Sequence, residues 1–255
     1  MNKYNKFVGL FNEFYDINDI KIDEKLSEYV NFKVGGPADI LLIPNSKEQV
    51  IKSIKICKEN NIPFYLIGNG SNILVRDGGF RGVVLSLKNV KNIYVDGEKI
   101  EAECGVMLKE VSDKAIENSL TGFEFACGIP GTIGGAVFMN AGAYDGEISK
   151  VIESAEVIDE NCNIIRLSRE ELDFGYRSSL VMKKGYTVLS AVFKLEKGQV
   201  KTIKELIEDL TNKRESKQPL EYPSAGSTFK RPTGYFAGKL IQDAGLKGYS
   251  IGGAA

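Results

Sequence analysis

The chain has 255 residues, of which 43% are hydrophobic and 26% are charged, with a formal net charge of -1. This composition is typical of a globular protein with two or three compact units, and it excludes disordered and fibrous classes. The apolar runs fall short of the roughly 18 residues that span a bilayer, the first residues lack the features of a signal peptide, and Lys and Arg are scattered. We predict a cytosolic protein with a small-molecule partner, no nucleic acid and no membrane.

The chain contains no histidine and only 4 cysteines. The absence of histidine excludes Ser–His, Cys–His and His-ligated zinc chemistry, so proton transfer is left to Ser, Tyr, Lys, Cys, Asp or Glu. The cysteines are widely spaced without a C-x-x-C pair, which favours reduced, mostly buried thiols. We predict no metal site.

The first part of the chain predicts a helix followed by a strand. Residues 46–61 place apolar side chains at helical spacing behind a serine N-cap, with glutamine three residues later. The short apolar run at 62–68 predicts a buried strand that ends at a glycine. A turn-rich loop at 68–82 and a strand-like run at 83–87 follow.

The middle of the chain alternates hairpins, a helix and a long strand, which favours an α+β domain. Asp96-Gly97 is a strong signal for a two-residue hairpin turn between alternating segments. A hairpin is predicted at 91–96 and 99–104, and a helix at 106–118. A second hairpin is predicted at 153–168, followed by a long alternating strand at 186–196.

The last part of the chain predicts another domain. Residues 199–217 form an amphipathic helix pattern, and a boundary is expected near Lys197-Gly198. A helix-like segment at 235–245 leads to a final Gly-Gly-Ala-Ala, where we expect a further C-terminal segment to be missing.

Two glycine-rich loops are the strongest indication of a ligand. Glycine is concentrated where the backbone needs positive φ or close approach, and residues 127–147, CGIPGTIGGAVFMNAGAYDGE, hold many. The loop GNGSN at 68–72 can form an anion-binding nest. A helix N-terminus at Gly131-Thr132 would add partial positive charge.

The loops match neither common nucleotide motif. Ile73 stands where the third Rossmann glycine belongs after Gly68 and Gly70, and no P-loop sequence occurs. Two separate loops suit a long ligand with a pyrophosphate in the middle. Tight turns without a ligand are the alternative.

Six short motifs run in order along nearly the whole chain, and their joint spacing is far more specific than any one of them. They are FKVGGPAD (32–39), GNGSN (68–72), GIPGTIGG (128–135), NAGAY (140–144), FGYR (174–177) and AGSTF (225–229). The chain resembles the UDP-N-acetylenolpyruvoylglucosamine reductases, flavoenzymes of bacterial peptidoglycan precursor synthesis. The short link after Arg177 resembles the shorter of the family's two subtypes, which lacks an extra tyrosine loop.

The resemblance implies an α+β fold with a two-lobed FAD-binding domain of the p-cresol methylhydroxylase type. The lobes are predicted at 1–90 and 91–198, and an α+β substrate domain, which we expect to be incomplete, at 199–255. FAD should be non-covalent because there is no histidine to attach it, unless a cysteine takes that role. NADPH should be the reductant, and the protein should be a monomer.

The implied reaction reduces the enolpyruvyl ether of UDP-N-acetylglucosamine to UDP-N-acetylmuramate. NADPH reduces the flavin, and flavin N5 delivers hydride to the β carbon, which leaves negative charge on the α carbon and carboxylate. Arg177 matches the arginine that stabilises this enolate, and Ser227 matches the proton donor. The family's third catalytic residue, a glutamate, belongs to a segment that would follow Ala255.

The resemblance also assigns binding residues by number. The substrate-binding residues are predicted to be Tyr144, Arg177, Ser227, Tyr235 and Lys239. The predicted cofactor-binding residues are Gly68, Asn69, Gly70, Ser71, Asn72, Gly128, Ile129, Pro130, Gly131, Thr132, Gly134, Gly135, Asn140, Ala141, Gly142, Ala143, Tyr144 and Gly146.

Each of these assignments has a purely structural alternative. Arg177 could cap a strand or stack on Tyr176, Ser227 could be a turn residue, and Tyr144 a core residue. Tyr235 and Lys239 could lie on the solvated face of a helix.

Two other functions stay open. One is an FAD-carrying electron-transfer subunit of a molybdenum hydroxylase, which would need neither AGSTF nor FGYR. The other is a non-catalytic fragment that binds FAD or another nucleotide.

Overall fold

The computed structural model describes residues 3–216, 218 and 220–252, and its first part is built around a 4-stranded sheet. The elements are helix α1 (Val8–Asn12), strands β1 (Ile20–Lys25) and β2 (Pro37–Leu42), helix α2 (Lys47–Glu59), and strands β3 (Phe64–Ile67) and β4 (Phe80–Ser86). The strand order is β1-β2-β4-β3, with β1 antiparallel to β2 and the other neighbours parallel.

The predicted helix-to-strand unit is confirmed. Helix α2 begins behind Ser46, whose Oγ accepts a hydrogen bond from the backbone N–H of Gln49 at 3.3 Å. Val50, Ile54 and Cys57 are buried on one face of the helix, in the core beside the sheet. Strand β3 lies within the apolar run predicted at 62–68 and follows the helix after a short connection.

The second part is built around a 5-stranded antiparallel sheet of order β11-β10-β12-β6-β5. Its elements are β5 (Ile93–Asp96), β6 (Lys99–Glu103), α3 (Leu108–Glu117), β7 (Leu120–Thr121), α4 (Ile133–Phe138), β8 (Gly142–Ala143), β9 (Gly146–Glu147), β10 (Ile152–Ile158), β11 (Ile164–Ser168), α5 (Leu180–Lys184), β12 (Thr187–Lys194) and β13 (Glu196–Lys197).

The first hairpin of this sheet is confirmed, but its turn lies one residue later than predicted. Asp96 pairs with Lys99, so the central residues are Gly97 and Glu98. Gly97 has φ +59°, whereas Glu98 has no positive φ. A glycine at the first central position suits a hairpin turn that needs one left-handed residue, in place of the expected Asp-Gly pair.

Strand β12 was expected to alternate, but residues 187–193 are all buried. The strand is central in its sheet, and it contacts both hydrophobic cores. Leu189 packs in the core of the first sheet together with Cys104 and Ile158, while Phe193 packs in the core of the second. A strand covered on both faces needs no polar face, and the shared core holds the two sheets together.

Two helices follow the second sheet, α6 (Val200–Glu215) and α7 (Ala237–Asp243). Helix α6 confirms the prediction at 199–217 and packs with buried Ile203 and Leu210 beside α3. From residue 220 to 252 all side chains are exposed except the half-buried Ala225 and Ala237. The predicted domain boundaries stay predictions. Among the described helices, none is long and apolar enough to cross a membrane.

Candidate functional site

The two predicted glycine loops lie against each other. The Asn69 side chain donates to the carbonyl oxygen of Pro130 at 2.9 Å. Gly68 lies so close to Thr132 that a Cβ at this glycine would collide with the threonine hydroxyl. The tertiary structure therefore brings the loop at 68–72 and the start of the second loop to one place, although more than 50 residues separate them in the chain.

The loop at 68–72 offers unused backbone donors. Within the part of the chain that the structure describes, the N–H groups of residues 69–72 donate no hydrogen bond. Gly70 has φ +61°, and its carbonyl accepts from Asn31 N–H at 3.0 Å, which fixes the loop from the other side. Successive free N–H groups of this kind form an anion-binding nest.

The glycines of the second loop fall into two groups. The nearest atoms to a Cβ at Gly131 and at Gly135 would lie at 3.7 and 3.9 Å, which is ordinary van der Waals contact, so packing within the protein does not require glycine at either position. Gly134 instead packs on the backbone of Cys104, whose oxygen would lie 3.2 Å from a Cβ. Close packing within the protein thus explains Gly134 without a ligand, whereas it does not explain Gly131 or Gly135.

Two further glycines are also explained by packing. A Cβ at Gly142 would lie 2.6 Å from the carbonyl oxygen of Gly146 across the β8–β9 hairpin, and a Cβ at Gly146 would collide with the Phe125 ring. The hairpin therefore needs both glycines to close. Their assignment to the cofactor stays a prediction.

Helix α4 begins behind Thr132, close to its predicted start. Its first two amides are already bonded, since Ile133 N–H donates to Val106 O at 2.8 Å and Gly134 N–H donates to Cys104 O at 2.9 Å. These two donors are not available to an anion. The start of this helix therefore offers an anion fewer N–H donors than the sequence suggested.

Arg177 lies in a tight turn. Gly175 and Ser178 exchange backbone hydrogen bonds of 3.0 and 3.2 Å, so Tyr176 and Arg177 are the two central residues. Arg177 has φ +53°, a left-handed conformation that costs a non-glycine residue about 1–2 kcal/mol. The turn is compact enough to hold the arginine against the segment NAGAY.

The Arg177 guanidinium is anchored by backbone carbonyls. Nη1 donates to Asn140 O at 3.3 Å and Nη2 donates to Gly142 O at 2.8 Å. The guanidinium also lies 5.1 Å from the centre of the Tyr176 ring. A guanidinium carries more N–H donors than these contacts use, so an anchored Arg177 can still bind a carboxylate.

Left-handed residues concentrate beside Arg177. Asn140, Tyr144 and Asp145 have φ values of +45°, +49° and +61°, and the last two form the turn of the β8–β9 hairpin. Strained backbone of this kind often occurs at functional sites. The Tyr144 side chain is 43% exposed, which disfavours the core alternative.

The exposed segment with Ser227 is joined to both parts of the site. Gly226 lies over Asn72, whose Oδ1 would be 2.8 Å from a Cβ at the glycine. Arg231 N–H donates to Tyr176 Oη at 3.3 Å. Ser227 lies between these two contacts in the chain and is itself exposed, so its segment is held near the loop at 68–72 and near the Arg177 turn.

The other two predicted substrate residues are not drawn toward Arg177 by any described contact. Lys239 pairs with Asp243 along helix α7 at 2.7 Å, and Tyr235 is 60% exposed, with its carbonyl accepting from Arg231 Nε at 3.3 Å. The interpretation of an exposed helix face therefore stays open beside the predicted substrate contact.

The sequence analysis missed Arg214 of helix α6. Its side chain lies against Gly128, where a Cβ would be 3.0 Å from Arg214 Cδ. Within the described chain the guanidinium has neither a hydrogen bond nor an ion pair. An arginine on an amphipathic helix looks solvated in sequence, and only the closeness to Gly128 shows that it borders the glycine loop.

Burial determines the protonation state of two cysteine thiols. It raises the pKa of Cys57 and of Cys104 to about 12, so both thiols are protonated at neutral pH. Cys127 and Cys162 are half-buried. The expectation of mostly buried thiols thus applies fully to two of the four, and the thiol beneath helix α4, Cys104, is not a nucleophile.

Comparison with known proteins gives consistent matches along the chain. Residues 38–168 match the family "FAD binding domain", and residues 218–255 match "UDP-N-acetylenolpyruvoylglucosamine reductase, C-terminal domain". The chain is 63% identical over 255 residues to the UDP-N-acetylenolpyruvoylglucosamine reductase of Clostridium perfringens strain SM101, and 63% identical over 254 residues to that of Clostridium beijerinckii. Each match covers 100% of this chain and 84% of the relative.

Solved structures agree with these matches. The crystal structure of UDP-N-acetylenolpyruvylglucosamine reductase from Thermus caldophilus has a TM-score of 0.78 at 31% identity, covering 91% of this chain and 83% of that one. An alkyldihydroxyacetonephosphate synthase, at 18% identity and a TM-score of 0.58, covers 76% of this chain and 41% of its own, and it shares the fold alone.

Proposed function

The chain belongs to the UDP-N-acetylenolpyruvoylglucosamine reductase family, and from this premise we propose how its residues divide the work of the reaction. It is an FAD-dependent oxidoreductase that uses NADPH to reduce the enolpyruvyl ether of UDP-N-acetylglucosamine in peptidoglycan synthesis. The family, the cofactor and the two-lobed FAD-binding fold predicted from the six motifs are thereby confirmed. The electron-transfer subunit is no longer needed as an alternative, whereas the non-catalytic fragment stays an alternative that a turnover assay of this chain tests.

The glycine loops suit FAD because they combine backbone donors that the described chain leaves unused with glycines that its packing does not require. The N–H groups of residues 69–72 can bind phosphate oxygens, and at Gly131 and Gly135 no contact within the protein demands glycine. Arg214 adds a cation beside Gly128 that pairs with no acid among the residues that the structure describes. Bound FAD supplies the hydride transfer, and these residues are proposed to hold it.

Arg177 is proposed to stabilise the negative charge that develops on the substrate carboxylate. The observation that supports this role is the anchoring of its guanidinium on the carbonyls of Asn140 and Gly142. A cation fixed before the reaction needs little rearrangement as charge develops, and it therefore binds the transition state better than the ground state.

Ser227 is proposed to protonate the α carbon. A serine hydroxyl is a weak acid, so it serves only against a strongly basic carbanion and when it is held in place. The contacts of Gly226 with Asn72 and of Arg231 with Tyr176 support a position near the other site residues.

The substrate roles of Tyr144, Tyr235 and Lys239 also belong to the proposal. A cytoplasmic location fits an enzyme whose nucleotide-sugar substrate and NADPH are soluble small molecules. The monomeric state rests on the sequence prediction alone, and light scattering of the purified protein tests it.

The test separates the two half-reactions. Enolpyruvyl UDP-N-acetylglucosamine should stimulate NADPH oxidation by the full-length protein, and no stimulation would overturn the proposed function. Ser227→Ala should keep rapid flavin reduction by NADPH but slow reoxidation by the substrate at least about 100-fold, because only the second step needs the proton.

A matched control for this variant is Ser216→Ala, at the exposed end of helix α6. It should change neither half-reaction. If Ser227→Ala slowed both half-reactions equally, the hydroxyl would have a structural role and not that of a proton donor.

A further inference from the structure

Asn140 is a buried polar residue in the connection between helix α4 and strand β8. Only 1% of its surface is exposed, and its backbone has φ +45°. A buried amide needs partners for both its nitrogen and its oxygen. The partners that Asn140 takes therefore indicate its role.

Both ends of the Asn140 side chain are bonded within the protein. Nδ2 donates to Gly175 O at 3.1 Å, and Oδ1 accepts from Ser149 N–H at 3.0 Å. Gly175 is the first residue of the turn that carries Arg177, and Ser149 follows the β8–β9 hairpin. One amide thus joins the arginine turn to the hairpin beside it.

The backbone of Asn140 completes this arrangement. Its carbonyl accepts from Arg177 Nη1 at 3.3 Å, beside the second anchor at Gly142 O. Asn140 therefore fixes the start of the turn through its side chain and the guanidinium through its carbonyl. Loss of the Nδ2–H donor would leave Gly175 O with a single described partner, Ser178 N–H, and would free the turn to shift.

We propose that Asn140 is a positioning residue for Arg177 and not a ligand of the cofactor. This inference rests on the proposed function, because it assumes that Arg177 acts on the substrate. It changes the assignment predicted from the NAGAY motif, in which Asn140 belongs to the cofactor site. Asn140 acts through Arg177, and its loss should slow the step that needs the guanidinium.

The main variant is Asn140→Asp. It keeps the shape of the side chain and an acceptor for Ser149 N–H, but it replaces the donor to Gly175 O by an oxygen. FAD affinity, measured by titration of the apoprotein, and flavin reduction by NADPH should stay within about twofold of the wild type. Reoxidation by the enolpyruvyl substrate should slow at least about tenfold.

The matched control is Asn118→Asp at the end of helix α3. This side chain also donates from Nδ2 to a backbone carbonyl, that of Lys114 at 2.9 Å, but it is half-buried and far along the chain from the Arg177 turn. It should leave FAD affinity and both half-reactions unchanged.

Asn140→Gly is a second test of the positioning role. Glycine adopts φ +45° without strain, so this variant removes both side-chain hydrogen bonds and leaves the backbone conformation allowed. The same separation of the half-reactions is expected. In an Arg177→Lys background, Asn140→Asp should change reoxidation by less than about twofold, since residues that act through one another are not additive.

Three results would overturn the inference: weaker FAD binding in the Asn140 variants with normal reoxidation, equal slowing of both half-reactions, or fully additive losses in the double variant. Failure of the proposed function is distinguishable from these. If Arg177→Lys alone leaves reoxidation at the wild-type rate, Arg177 has no role on the substrate, whatever Asn140 does.

Discussion

The surroundings of Arg177 and of Ser227 differ in how firmly they hold their residue. Arg177 lies in a closed turn, with its guanidinium on two carbonyls and left-handed backbone at Arg177 itself and at Asn140. Ser227 lies in a segment where nearly every side chain is exposed. The described contacts that tie this segment to the rest of the site are those of Gly226 and Arg231.

This difference follows from the chemistry proposed for each residue. A charge-stabilising group is most effective when it is fixed before charge develops. A proton donor on an exposed segment can move as the substrate binds and leaves. Variants around Arg177 should therefore change the electrostatic stabilisation of the substrate carboxylate. Variants in the Ser227 segment should change the position of the proton donor.

The largest effect is expected for Arg177→Lys. Lysine keeps the charge but lacks the planar fork that reaches both Asn140 O and a carboxylate, so reoxidation of the flavin by substrate should slow by about 100-fold to 1,000-fold. Stopped-flow absorbance of the flavin measures this rate. Arg166→Lys, at an exposed position on strand β11, should have no effect. A normal rate of reoxidation in Arg177→Lys would mean that the anchored guanidinium does not stabilise charge on the substrate.

An intermediate effect is expected for Gly226→Ala. Gly226 has φ +87°, which strains an alanine, and a Cβ would lie 2.8 Å from Asn72 Oδ1, so the contact between Asn72 and the Ser227 segment should change. Substrate reoxidation should slow about tenfold, with flavin reduction by NADPH unchanged.

The control for this variant is Gly234→Ala. Gly234 has a similar φ of +76°, but a Cβ there would meet nothing within 4 Å. It imposes the same kind of backbone strain without the collision. Equal slowing in both variants would mean that strain, and not the contact with Asn72, places Ser227.

The smallest effect is expected for Tyr176→Phe. The variant keeps the ring beside the Arg177 guanidinium but removes the hydroxyl that accepts from Arg231 N–H. The KM for the enolpyruvyl substrate should rise about threefold while the maximal rate stays near that of the wild type, because one weak tether of the exposed segment is lost. Tyr176→Leu, which also removes the ring, should lower the maximal rate as well. A Phe variant that behaves like the Leu variant would contradict a separate role for the hydroxyl.

Local elements followed from the sequence where short-range physics decides them. The Ser46 cap, the apolar face of helix α2 and the alternating strands of the first hairpin depend on neighbours a few residues away. The hairpin turn was displaced by one residue because register depends on the paired strands and not on the Asp-Gly signal alone. The burial of β12 was missed since it depends on both cores.

The composition of the glycine-rich segment predicted a ligand-binding loop. It could not show which of its glycines are required by packing within the protein. Gly131 and Gly135 would tolerate a Cβ within the protein, whereas Gly134 and Gly146 are required by Cys104 and Phe125. Glycine looks the same in sequence whether the missing side chain makes room for a ligand or for the protein.

By itself, the sequence determined the types of the main elements, the family and the cofactor. Helix caps, hydrophobic periodicity and the order of motifs depend only on the linear sequence, so they can be recognised without knowledge of the tertiary structure. Only the tertiary structure decided that the Asn140 side chain bonds Gly175 and Ser149, and that the Ser227 segment reaches Asn72. Those contacts join residues far apart in the chain, and their geometry depends on how the two sheets and the helices pack together.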